Sequence, residues 1–283
     1  MIIRILMASV FIPALLWLVF HTHSLYYTLF VLAYCALSLQ EFYGLMQAKG
    51  GKPFGVWGTL CGCLLVLCAD PTLANVLSPY FSSRAESMLL VLTVFTIGAF
   101  FLAMRLELEP GLYGLMRTTL GVVYIGVLGG YFILLRNIGQ GNYFVFIHYF
   151  FTWVYDGGAY FTGRTFGRHP LAPVLSPKKT WEGFVGGFVV LGLVFVLIKL
   201  LVMPQMPLTM VQGLVLVVVL GFMGQMGDLA ESAFKRYAGV KDSSRFFSEY
   251  GGFLDKLDSL LFTAPVIYYF WLFVIKPGAS GAP

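Results

Sequence analysis

Long apolar stretches, broken by short polar connections, run through almost the whole chain. A bilayer core about 30 Å thick is crossed by about 20 apolar residues in helical form. Against that length the pattern predicts spans near 4–20, 24–46, 53–69, 87–104, 112–135, 142–163, 183–203, 208–228 and 257–275, about nine in all. Within lipid every backbone N–H and C=O must be paired inside the protein, so each span is expected as helix rather than strand. The expected fold class is an all-α polytopic membrane protein. Arg4 and the apolar run to Phe20 could open a secretory signal, but His21-Thr22-His23 follows where a small-residue cleavage site would stand. A retained first span is expected.

Composition agrees. Hydrophobic residues make up 59% of the chain and charged residues 11%, with a mean hydropathy of +0.83. A soluble domain carries about 25% charged residues, so that class is excluded. The net charge of +5 is modest, and its placement says more. With the N-terminus cytoplasmic, fourteen Lys and Arg residues fall on the cytoplasmic side, and Arg84, Arg136, Lys199 and Lys276 on the other. The positive-inside rule therefore predicts a cytoplasmic N-terminus and an outside C-terminus. Both long polar connections, 164–182 and 229–256, then face the cytoplasm. Cys35, Cys61, Cys63 and Cys68 lie in apolar stretches without zinc-type spacing and are expected as small core residues.

Polar chemistry concentrates in the second half. In the first half Glu41 ends the second span beside Tyr43 and is expected as an interfacial anchor. Asp156 sits near the cytoplasmic end of an apolar span, among Gly157, Gly158 and Ala159. A carboxylate at that depth needs water, a partner or an ion, and the small residues allow close approach of a helix or ligand. Ser176, Lys178, Lys179, Thr180 and Glu182 precede a Gly-rich helix start, where free N–H groups favour phosphate, although a solvated basic loop has the same composition. Between Gly224 and Ser259, Asp228 and Glu231 share a helix face, as do Asp255 and Asp258; Glu231 and Lys235 form an i,i+4 pair. Carboxylates gathered at span ends call for a cation, and an oxygen-only donor set points to Mg²⁺ before zinc. The interleaved Lys235, Arg236, Lys241 and Arg245 could hold phosphates bridged by the metal.

The run Gly227-Asp228-Leu229-x-Glu231-Ser232-x-Phe234-Lys235-Arg236, with Gly239-x-Lys241-Asp242-Ser243 and Gly251-Gly252-x-Leu254-Asp255-x-x-Asp258-Ser259, resembles the signature of phosphatidate cytidylyltransferases. Asp156-x-x-Ala159-Tyr160, Gly167 and Ser176-Pro177-x-Lys179-Thr180-x-Glu182-Gly183-x-x-Gly186-Gly187 resemble that family's preceding block. Together these cover about 100 residues of the second half. The resemblance implies a Mg²⁺-dependent membrane enzyme of phospholipid synthesis that joins CTP to phosphatidic acid, giving CDP-diacylglycerol and pyrophosphate. On that basis residues 1–140 are expected as a transmembrane scaffold with lipid or dimer contacts, 141–276 as the catalytic region and 277–283 as a tail.

The resemblance also implies roles. Asp228, Lys241, Asp242, Asp255 and Asp258 are expected as catalytic, with Asp228, Asp255 and Asp258 holding Mg²⁺. Ser176, Lys178, Lys179, Thr180, Glu182, Lys235, Arg236 and Asp156 are expected at the substrates, with Asp156 lining the cavity and room for a second cation. The expected partners are CTP, phosphatidic acid and membrane lipids, not nucleic acid, with a homodimer allowed for. The expected place is a bacterial inner membrane with the site facing the cytoplasm. The chain departs from the pattern where Ser248-Glu249-Tyr250 replaces Pro-Gly-His and Lys256 replaces arginine. A catalytically impaired paralogue is one competing reading; a transporter using Asp156 and Asp228 as intramembrane ligands is another. The D-x-x-D-G-x-x-A-R pattern of CDP-alcohol phosphatidyltransferases is absent, since Asp258 is followed by Ser259-Leu260.

Overall fold

The computed structural model describes residues 13–21, 23–47, 52–77, 80–81, 83–244, 246 and 251–276. A helical stretch over 13–21 (α1) leads into α2 (Ser24–Met46), α3 (Gly55–Cys68), α4 (Pro71–Leu77) and α5 (Arg84–Ala103). Next come α6 (Leu108–Gly121), which runs through a wider π-turn segment (Val122–Val127) into α7 (Leu128–Arg136), and α8 (Gly141–Phe166). A two-stranded antiparallel hairpin, β1 (Pro170–Ala172) and β2 (Ser176–Thr180), precedes α9 (Trp181–Leu197), α10 (Met210–Ala238) and α11 (Leu254–Phe270).

Among the described residues, six helical stretches are long and apolar enough to cross a membrane: Ser24–Met46, Arg84–Ala103, Leu108–Arg136, Trp181–Val202, Met210–Ala238 and Leu254–Ile275. They answer to six of the nine expected spans. The expected span at 4–20 lies largely outside the described residues. The one at 53–69 is a 14-residue helix, short for a crossing. That at 142–163 is the 26-residue α8, which has the length but carries His148, Asp156 and Arg164. Among the described residues the hairpin is the one departure from an all-helical reading. Pro170, Pro173 and Pro177 disfavour helix there, and extended backbone pairs instead, Pro170 opposite Thr180 and Ala172 opposite Ser176.

Local chemistry sets the helix ends that matter. Thr209 and Gln212 form a reciprocal capping box that starts α10, and Gly239 at φ +74° ends it. Thr180 Oγ1 accepts from Gly183 N (3.2 Å) and starts α9. Packing then brings the two halves of the chain together. Phe42 on α2 and Tyr124 on the π-turn segment both meet Phe234 of α10, at ring distances of 5.2 and 5.3 Å. Large apolar side chains on the outer faces, such as Leu201 (76% exposed) and Phe273 (70%), have lipid as their natural neighbour.

Candidate active site

The C-terminal third of α10 and the first turns of α11 carry the acidic residues, and a missing side chain lets them meet. A Cβ on Gly227 would fall on the Asp258 carbonyl oxygen, so glycine is required for the helices to touch there. That contact sets Asp228 beside Asp258. With Glu231, one turn further along α10, they offer three carboxylate oxygens all within 4.8 Å of one another. Glu231 is fully buried, and its Oε1 has no hydrogen-bond partner among the described residues. A buried carboxylate gathered with two others is the donor set a hard divalent cation takes. The residues therefore fit Mg²⁺. Asp156 on α8 is within electrostatic range of Asp228, Asp258 and Lys179.

Basic residues close the arrangement. Lys179 on β2 forms an ion pair with Asp228, and Ser232 Oγ donates to the other Asp228 oxygen (3.4 Å). Arg236 Nε donates to Leu175 O (3.1 Å), a second tie between α10 and the hairpin. Lys235 pairs with Glu231 and lies 2.7 Å from Asp255 Oδ1. Glu182 points back into the hairpin, accepting from Arg168 N (3.0 Å) and His169 N (3.2 Å), with His169 Nδ1 at 2.5 Å.

Asp255, expected as a metal ligand, is not among the three converging carboxylates. Its Oδ1 faces Lys235, and its Oδ2 accepts from Ser243 N (2.9 Å), Ser243 Oγ (2.6 Å) and Gly252 N (2.7 Å). Asp255 and Asp258 thus face different partners, although Asp228 and Glu231, at the same three-residue spacing on α10, converge. Gly251, at φ +75°, sits where a Cβ would strike the Asp255 carboxylate, which explains the double glycine ahead of α11.

A family model described as the cytidylyltransferase family matches residues 2–274, nearly the whole chain. The chain belongs to the cytidylyltransferase family. Among similar proteins, the phosphatidate cytidylyltransferase of Bacillus subtilis (strain 168) is 43% identical over 152 residues, 53% of this chain and 56% of that one. That of Staphylococcus saprophyticus is 38% identical over 148 residues, covering 52% and 55%. That of Staphylococcus aureus (strain COL) is 37% identical over the same length and the same shares. The chain spans about half the length of the curated relatives it matches.

For this member of the cytidylyltransferase family, the structure brings together Asp156, Lys179, Asp228, Glu231, Lys235, Asp255 and Asp258. Thr180 starts α9 and Glu182 clasps the hairpin. Lys178 is exposed on β2, with Ser176 partly covered at the strand's start, and Lys241 and Asp242 are exposed on the connection after α10. Lys256 is exposed on α11; Arg245 and Ser248-Glu249-Tyr250 lie outside the described residues. Two residues take places other than those expected from the sequence. Glu231, which the sequence places on the face of Asp228 among carboxylates that call for a cation, stands in the cluster where Asp255 was expected as a ligand. Glu41, 202 residues before Ser243, meets it at 2.9 Å, and no local signal announces that contact.

Proposed function

We propose that this chain transfers the cytidylyl group of CTP to phosphatidic acid, giving CDP-diacylglycerol and pyrophosphate, at the cytoplasmic face of a bacterial inner membrane. The convergence of Asp228, Glu231 and Asp258 beside Lys179 and Lys235 is the observation that carries this reading. The names of the relatives and the family support it. The reading includes nine spans, a cytoplasmic N-terminus and an outside C-terminus, with residues 1–140 as scaffold and 141–276 as the catalytic region.

In this reaction the nucleophile is a phosphate oxygen of phosphatidic acid, already an anion. It forms a bond to the α-phosphorus of CTP, and the bond to the β-phosphate oxygen breaks as pyrophosphate leaves. No side chain needs to remove a proton, so the task of the protein is to relieve repulsion between anions and align them. Asp228, Glu231 and Asp258 would hold Mg²⁺, which supplies charge neutralisation at the triphosphate. Lys179, fixed by Asp228, presents a cation beside the cluster, and Lys178 and Lys241 stand on exposed segments. Arg236 and Glu182 keep the hairpin in place for that contact. Asp255 orients Lys235 and the connection that carries Lys241 and Asp242. Asp156 lines the inner wall, a position open to a second cation.

The test is Mg²⁺-dependent pyrophosphate release from purified protein in lipid bilayers given CTP and phosphatidic acid, with labelled cytidylyl recovered in lipid. Absence of both products would reject the reading. Uptake of a solute into vesicles without product would favour transport.

A further inference from the structure

We propose that Glu41 is a positioning residue for the site, acting from the scaffold half of the chain. Its carboxylate receives three hydrogen bonds, and lies within reach of a further hydroxyl, from two segments more than 200 residues away. Oε1 accepts from Ser244 Oγ (2.6 Å) and Phe253 N (3.1 Å); Oε2 accepts from Leu254 N (2.9 Å) and meets Ser243 Oγ (2.9 Å).

The N-terminus of α11 explains the need. Its N-cap, Phe253, has no side chain able to accept from the first-turn N–H groups. Glu41 provides the missing acceptor from α2, with a negative charge where the helix dipole favours one. The same carboxylate holds Ser243 and Ser244, next in the chain to Lys241 and Asp242. Ser243 Oγ also lies 2.6 Å from Asp255 Oδ2, so one hydroxyl joins Glu41 to Asp255. A Cβ on Gly252 would fall on the Glu41 carboxylate, so glycine there admits the contact. Tyr34 of α2, edge-on to Phe253 at 5.0 Å, seats the same helix start. The placement of Asp255 and Asp258, and of the connection at 241–244, is thus set from α2.

The catalytic part of this proposal rests on the reading under Proposed function; the positioning part does not. The experiment compares wild type, Glu41→Ala and Glu41→Gln in lipid nanodiscs. Without substrates, amide hydrogen exchange at Phe253 and Leu254 is expected to rise about tenfold or more in Glu41→Ala, with α9 unchanged. Turnover of CTP with phosphatidic acid is expected to fall roughly 10- to 100-fold, and raised Mg²⁺ to restore part of it, which loss of folded protein would not show. Glu41→Gln, keeping an acceptor oxygen, falls between. Unchanged exchange at those amides overturns the proposal, as does faster exchange with wild-type turnover. If wild type itself releases no pyrophosphate, the functional reading fails, and the exchange data alone decide whether Glu41 fixes the helix start. Should Glu41→Ala fail to fold, Ser244→Ala removes one of the three bonds and is read the same way.

Discussion

Lys235 Nζ stands 2.7 Å from Asp255 Oδ1, joining α10 to α11 across twenty residues of sequence. The same ammonium pairs with the fully buried Glu231 one turn back on α10. One cation thus balances two carboxylates at the floor of the site, and both helices depend on it.

Lys235→Met is expected to leave Glu231 buried without its counter-charge. Removing one partner of a buried pair costs about 3–5 kcal/mol, so unfolding in detergent should shift by roughly that amount. Adding Glu231→Leu should recover much of the loss of stability but none of the activity. A stability unchanged by Lys235→Met would show that the pair contributes nothing to the fold.

The metal assignment is tested by Asp258→Asn and Glu231→Gln. Each removes a charged ligand from the three that converge, and turnover is expected to fall by about 100-fold or more. Titration with Mg²⁺ checks the cause, since the concentration giving half-maximal rate should rise. Wild-type Mg²⁺ response in both variants would place the cation elsewhere.

Gly227→Ala separates helix propensity from helix contact. Alanine is the better helix former by about 1 kcal/mol and would stabilise α10 were the position open. Because the new Cβ meets the Asp258 carbonyl, the expected sign is opposite: a loss of about 1–3 kcal/mol, with lower turnover as Asp228 and Asp258 are pushed apart. Thermal unfolding read beside the rate decides it.

Lys179→Met should act on binding more than on stability. The pair with Asp228 is partly exposed, with side-chain exposures of 22% and 29%, and such pairs contribute about 1 kcal/mol or less. Loss of the cation is expected to raise the KM for CTP about tenfold, with Lys179→Arg retaining part of the affinity. An unaltered KM would remove Lys179 from the nucleotide's surroundings.

The apolar runs by themselves determined that the chain is a helical membrane protein, because lipid permits unpaired backbone nowhere and the length of a crossing is set by bilayer thickness. Among the described residues, six helical stretches long and apolar enough to cross stand where the runs predicted spans. The acidic motif likewise announced its chemistry, since Asp228, Glu231, Asp255 and Asp258 repeat at helical spacing beside lysines. Which of those carboxylates meet was decided by tertiary structure. Gly227 brings α11 against α10 so that Asp258 joins Asp228 and Glu231, while Asp255 turns to Lys235 and Ser243. Glu41 reached the site in the same way: a periodic pattern fixes which face a residue occupies, but not which distant helix that face will meet.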